Sequence, residues 1–163
     1  MNYVHKRVQT PVGNLKLVAS DRGLTAILWE NDKADRVRVP HGIEDADNLI
    51  LVEAERQLRE YFDGQRKSFT VPLDFVGTDF QRKVWQALLT IPFGETRSYG
   101  EIARQVGNER AMRAVGAANG KNPISIIAPC HRVIGASGDL TGFAGGLENK
   151  KVLLSLEVKV ASS

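Results

Sequence analysis

The hydrophobic pattern of this chain changes period near residue 76, and that change limits the folds open to it. Before it, apolar residues come in short runs close to alternation, the period of a strand with one buried face. Residues 3–10 alternate loosely, Pro11-Val12-Gly13 reads as a turn, and residues 15–19 form a second strand candidate. Asp21-Arg22-Gly23 is another turn and residues 24–29 a third strand, so the segment reads as a meander with short connections. Residues 31–45 are charged, hold Pro40 and Gly42, and read as a loop. Over residues 47–62, Leu51, Ala54, Leu58, Tyr61 and Phe62 fall at helical spacing, with Gly64 placed to end the helix. Residues 68–75 read as extended, interrupted by Pro72.

Beyond residue 76 the period becomes helical. Thr78 can cap a helix through Phe80, Val84, Trp85, Leu88 and Leu89, broken by Pro92 and Gly94. Residues 96–98 open a short helix bearing Tyr99, Ile102 and Ala103, closed near Gly107. A second helix carries Met112, Ala114, Val115 and Ala118 and ends about Gly120. Two short helices joined by a Gly-containing turn suggest a helix-turn-helix, although by spacing alone a plain helical hairpin is the commoner outcome. Pro123 starts an apolar run that reads as extended through Ala128 and leads into Pro129-Cys130-His131-Arg132-Val133. A Gly-rich loop with Gly135, Gly138, Gly142, Gly145 and Gly146 follows, then a closing helix over 150–157. The expected fold class is α+β. A small strand-rich unit with one long helix spans 1–76, and a mostly helical unit spans 77–163.

Charge divides along the same line. Residues 1–76 hold 11 Lys and Arg against 12 Asp and Glu, a net −1, whereas 77–163 hold 11 against 7, a net +4. The excess positive charge lies in the helical half, where it can attract phosphates or simply form a solvated face. No run of about 18 apolar residues exists for a membrane span, and the first residues lack the apolar stretch of a secretory signal. With one cysteine in 163 residues no internal disulfide is possible, so a cytoplasmic, reducing setting is expected.

A lone cysteine is usually a small buried hydrophobe. Cys130, however, follows a proline and is flanked by His131 and Arg132. Cationic neighbours favour the thiolate, which is the nucleophile. In a continuous strand Cys130 and His131 would face opposite ways, so they can cooperate only if the backbone turns or a water bridges them.

The segment Asn122-Pro123-Ile124-Ser125-Ile126-Ile127-Ala128-Pro129-Cys130-His131-Arg132-Val133-Ile134-Gly135 resembles the active-site signature of the O6-alkylguanine-DNA alkyltransferases, or methylated-DNA–protein-cysteine methyltransferases. The resemblance runs from about Gly77 to Glu157, through Phe93-Gly94-Glu95, Ser98-Tyr99-Gly100, Arg113-Ala114-Val115-Gly116 and Gly145-Gly146. Residues 1–76 match only in general style; by resemblance they form a ribonuclease-H-like unit.

The resemblance implies single-turnover repair of O6-alkylguanine, extending to O4-alkylthymine, by irreversible alkyl transfer to Cys130. His131 would act as base toward Cys130 through a water, oriented by Glu157, and Asn122 would brace the active-site turn. Tyr99 would aim a donor at the leaving guanine, whose departure as an anion is costly. Val133, Phe143 and Ala144 would line the guanine pocket; Phe143 stands where the commonest family pattern has Tyr. The family flips the damaged nucleotide out of the duplex. Arg113 on the second helix would fill the vacated space, with Tyr99 helping to rotate the phosphate. Small residues Ala114 and Gly116 would let the helix approach a groove, here the minor groove, where sequence is poorly read. The implied partner is double-stranded DNA, met by a monomer, with cooperativity on DNA left open and no membrane involved.

No cofactor is implied. Some relatives hold a structural zinc through cysteines. Here the sole cysteine is needed for chemistry and His5, His41 and His131 are scattered, so no metal is expected. Lesion sensors related to the family replace the cysteine, which is present here, and Cys–His hydrolases usually draw the two residues from distant segments.

Overall fold

The computed structural model describes residues 2–138 and 140–163. The N-terminal half is the expected meander: β1 (Val4–Thr10), β2 (Gly13–Ala19) and β3 (Leu24–Leu28) pair antiparallel in sequence order. A two-residue strand, β4 (Ile43–Glu44), adds in parallel to β1, giving the order β3-β2-β1-β4. β4 lies in the segment expected as a loop, because a strand two residues long has no periodicity to reveal it. Leu15, Leu17 and Ala19 point inward onto helix α1 (Leu49–Phe62), which Asn48 caps by accepting from the Ile50 and Leu51 amides. The opposite sheet face is covered by the 31–42 loop through Val37 and Val39, which pack on Val18, Ala26 and Leu28.

The C-terminal half consists of α2 (Asp79–Leu88), a short β5 (Arg97–Ser98), α3 (Tyr99–Gln105), α4 (Met112–Gly120), β6 (Val133–Ile134) and α5 (Leu147–Ala161). Capping boxes start α2 at Thr78 with Gln81 and α3 at Ser98 with Glu101, each satisfying amides that helix geometry leaves unpaired. Val84, Trp85, Leu88, Ile102, Ala103, Val115 and Ala118 bury one face of each of α2, α3 and α4 in a shared core, and the Trp85 indole N–H donates to Ala118 O at 2.8 Å.

The free edge of β3 is covered by one segment from each half. Leu24 N donates to Pro72 O and Ile27 N to Pro123 O, each at 2.8 Å, so two crossing segments cover an edge that would otherwise expose unpaired amides. Ile124, Ile126, Ile127 and Leu153 thereby enter the same core as Leu17, Leu51 and Tyr61.

One expectation is corrected. Residues 124–128 are not an extended run. Ile124 makes a single bridge to Ile27; the chain then turns, with Ile127 N bonded to Ser125 O and Ala128 N to Ile124 O. Ile126 sits at φ 76°, a left-handed conformation rare for a β-branched residue. Every residue from 122 to 133 is buried, so continuous hydrophobicity here marks enclosure on all sides rather than a strand between two layers. A short apolar run does not distinguish the two.

Candidate active site

The turn delivers Cys130 to a single 3-10 turn, Cys130–Arg132, held by Arg132 N to Pro129 O at 2.9 Å and Val133 N to Cys130 O. Asn122 spans the turn from inside: its Nδ2 donates to Ala128 O at 2.8 Å and its Oδ1 accepts from Ile124 N at 3.1 Å. Arg36, in the loop of the N-terminal half, locks Asn122 from outside. Its Nη1 donates to Asn122 O (2.8 Å) and Gly120 O (3.1 Å), while Nε and Nη2 clasp the Asp32 carboxylate at 2.7 and 2.8 Å.

Cys130 is 3% exposed. Burial pushes its thiol up from the ordinary value, opposed by the Asn122 side chain, the charges of Arg36 and Lys150, and Ser125. The cations expected to acidify it, His131 and Arg132, are turned to another partner. The buried Glu157 carboxylate accepts from His131 Nε2 at 2.7 Å and from Arg132 Nε and Nη2 at 2.7 and 3.0 Å. Arg132, two residues beyond the thiol in the chain, is thus committed to Glu157.

Glu157 is buried, which alone would raise its carboxyl, but the bonds from His131 and Arg132 outweigh burial and hold it at about 2. His131 is fully buried, and burial lowers its pKa despite the opposing pull of Glu157. An ionised carboxylate on Nε2 fixes the neutral tautomer with its proton there and its lone pair on Nδ1. Nδ1 makes no hydrogen bond among the described residues. The arrangement is therefore a neutral imidazole, oriented by a carboxylate, whose Nδ1 lone pair can accept a proton, on the residue following a buried thiol in the chain.

The other expected residues lie on several elements. Tyr99 begins α3, half-buried, its hydroxyl 2.5 Å from Thr141 Oγ1, and its ring lies under Gly116 of α4. Val133 lies directly after the turn, in β6 beside Arg97 of β5. Phe143 meets Trp29 edge-to-face at 5.4 Å, and Ala144 packs against the same core. Gly145 is required by that contact: a Cβ there would lie 2.6 Å from the Trp29 ring. Asp139, in the expected Gly-rich loop, lies outside the described residues. Arg113 and Ala114 are exposed on α4, and Arg113 makes no hydrogen bond or ion pair among the described residues.

Several residues of the site escaped sequence reading. Tyr61 of α1 donates its hydroxyl to Glu157 at 2.6 Å. Lys150 is fully buried and donates to Val133 O (2.8 Å) and Thr141 O (3.5 Å), tying the two ends of the loop that follows Cys130. The Trp29 indole donates to Ser125 Oγ at 3.1 Å. A signal existed for Lys150: with Leu153 and Glu157 it shares one helix face, so two ionisable groups recur at apolar spacing. Tyr61 carried none, since an aromatic at helical spacing reads as core. Among the described residues no three His, Cys, Asp or Glu gather as a metal site, and no helix is long and apolar enough to cross a membrane.

Two family models match the chain: the ribonuclease-like domain of 6-O-methylguanine DNA methyltransferase over residues 3–75, and its DNA-binding domain over 79–159. A methylated-DNA–protein-cysteine methyltransferase of Methanosarcina acetivorans is 50% identical over 149 residues, covering 91% of this chain and 94% of that protein. The crystal structure of Mycobacterium tuberculosis O6-methylguanine methyltransferase superposes with a TM-score of 0.86 at 49% identity, covering 96% of this chain and 93% of the other. A structure of the M. tuberculosis protein in complex with DNA gives 0.87 at 49% identity, covering 98% and 94%.

Proposed function

This chain belongs to the 6-O-methylguanine DNA methyltransferase family, and we infer that it repairs DNA by direct reversal, moving the alkyl group of O6-alkylguanine onto its own Cys130. O4-alkylthymine is a second substrate. His131, next to the thiol in the chain, carries this reading: its Nε2 is held by Glu157 and its Nδ1 makes no hydrogen bond among the described residues.

Because burial keeps Cys130 as a thiol, a base must act. The Sγ proton passes through a water to Nδ1, and Glu157 stabilises the imidazolium that forms, as the third member of a hydrolytic triad does. The thiolate attacks the alkyl carbon in line. An S–C bond forms as the C–O6 bond breaks, and the electron pair leaves with guanine. Tyr99, released from Thr141, turns its hydroxyl to a ring nitrogen of the leaving base. Val133, Phe143 and Ala144 line the base pocket, and Asn122 keeps the turn from yielding under attack. The thioether has no readily displaced group, so each molecule acts once, with no cofactor.

The units divide at residues 76 and 77, and the helical one meets double-stranded DNA as a monomer through α4. Arg113 fills the space left by the flipped nucleotide. Ala114 and Gly116 lie along the approach to the minor groove, where small side chains let backbone and groove come close. The reading is tested by mass spectrometry after incubation with duplex carrying O6-methylguanine. The expected result is one added methyl per chain, located on Cys130 and lost in Cys130→Ser, which still binds DNA. Methyl transfer by that variant, or tight binding with unchanged mass in the parent, overturns it.

A further inference from the structure

Glu157 gathers donors from distant parts of the chain. Its Oε2 accepts from His131 Nε2 (2.7 Å), Arg132 Nη2 (3.0 Å) and the Tyr61 hydroxyl (2.6 Å); its Oε1 accepts from Arg132 Nε (2.7 Å) and the Gly94 amide (3.4 Å). Tyr61 stands apart from the others, 96 residues earlier in α1 and in the strand-rich half. The relay accounts for His131, and charge balance in the core accounts for Arg132. Neither requires a tyrosine. The Tyr61 ring packs against Phe62, Phe69 and Phe93, a site that a phenylalanine would fill equally well without burying a hydroxyl.

We propose that Tyr61 is a positioning residue for alkyl transfer: through Glu157 Oε2 it fixes the orientation and sets the basicity of His131, so the strand-rich half supplies part of the relay. The inference rests on the reading above, in which His131 is the base for Cys130.

The Tyr61 hydroxyl and the His131 ring compete for one oxygen. A hydroxyl donating to Oε2 draws carboxylate charge away from the His131 Nε2–H. Without it more of that charge faces the ring, the imidazolium gains stability, and Nδ1 is occupied by a proton at higher pH. Tyr61 can play this part throughout the working range, because burial, together with the charge of Glu157, keeps its hydroxyl protonated. The remaining charges facing His131 are Arg132 beside it and Lys150 from α5, both of which disfavour the imidazolium. Glu157 alone favours it, and Tyr61 is placed to moderate Glu157.

The test compares Tyr61→Phe with Leu58→Val, a packing change on the same helix that leaves the hydroxyl in place. Reaction with free O6-benzylguanine is followed across pH, and the His131 ring is titrated by NMR in the unreacted protein. Transfer by the parent must first be seen; its absence would defeat the underlying reading rather than this proposal. Tyr61→Phe should slow the reaction roughly 3- to 10-fold at neutral pH, the size of one lost hydrogen bond. It should also move both the acid limb of the rate profile and the His131 titration upward by about half a unit to one unit. Leu58→Val should lower the melting temperature while moving neither titration. If Tyr61→Phe leaves both titrations where the parent has them, or if Leu58→Val shifts them equally, Tyr61 only packs and the proposal fails.

Discussion

The turn from Asn122 to Val133 and the outer face of α4 lie one after the other in the chain and differ in almost every physical respect. In the turn each residue is buried, and its charged Arg132 is bound to Glu157 of α5 and to the Ile91 carbonyl. On α4, Arg113 is exposed and bonded to nothing among the described residues, next to Ala114, Gly116 and Ala117. Controlling a thiol and an imidazole requires desolvation, and desolvated charges must be paired. Under the proposed function, an unengaged cation on a slim helix is the feature that would meet the nucleic acid. In the turn the charges are paired and His131 Nδ1 is a buried atom without a hydrogen bond among the described residues; on α4 a cation is left free.

Removing the partner of a buried charge is the severest way to break this contrast. Glu157→Ala leaves Arg132 uncompensated in the core, for which a loss of roughly 3–5 kcal/mol is expected by urea denaturation. Arg113→Ala should lose less than about 0.5 kcal/mol. The same pairing sets a pH dependence. His131 and Glu157 both have lowered folded pKa values, so the unfolded chain binds more protons than the folded one on the acid side. Stability should therefore be full above the ordinary histidine value. It should fall as the pH drops below that value, and fall further between the ordinary carboxyl value and the folded value of about 2. Melts that are flat from pH 7 to pH 3 would contradict the pairing.

Arg113→Ala sharpens the contrast from the other side. If Arg113 holds the flipped-out state, worth a few kcal/mol, repair of duplex DNA should slow by about tenfold or more while reaction with free O6-benzylguanine is unchanged. Equal losses on both would give Arg113 a role in the buried site instead.

A further effect joins the two regions. An alkyl group on Cys130 enters a packed core containing Val84, Val115, Ala118 and Val133. Overpacking of that kind costs about 1–3 kcal/mol. The methylated protein should melt below the unreacted one, and the benzylated protein no higher than the methylated. Unchanged midpoints for both would mean that the turn gives way without strain.

The strands, the capped helices and the order of motifs were readable in advance because each depends on neighbours within a few residues. The alternation in β1 to β3, Asn122 before Pro123, and the Thr78 and Ser98 caps are of this kind. The two-residue β4 and the true shape of residues 124–128 were not readable, because both are decided by what packs on them: β1 beside the first, and an all-enclosing core around the second.

The sequence by itself determined the two-part α+β division and the identity of the single thiol; its family resemblance pointed to His131 and Glu157, which the fold bonds to each other. Only the tertiary structure decided which charges reach that thiol. Arg132, its near neighbour in sequence, turns to Glu157, while Arg36 and Lys150, one from the N-terminal loop and one from the last helix, raise the field at Cys130. Tyr61 joins Glu157 across 96 residues in the same way. The reason is one of range: strand and helix periods are written in local spacing, whereas desolvation and charge act through space and are fixed only when the two halves close on each other.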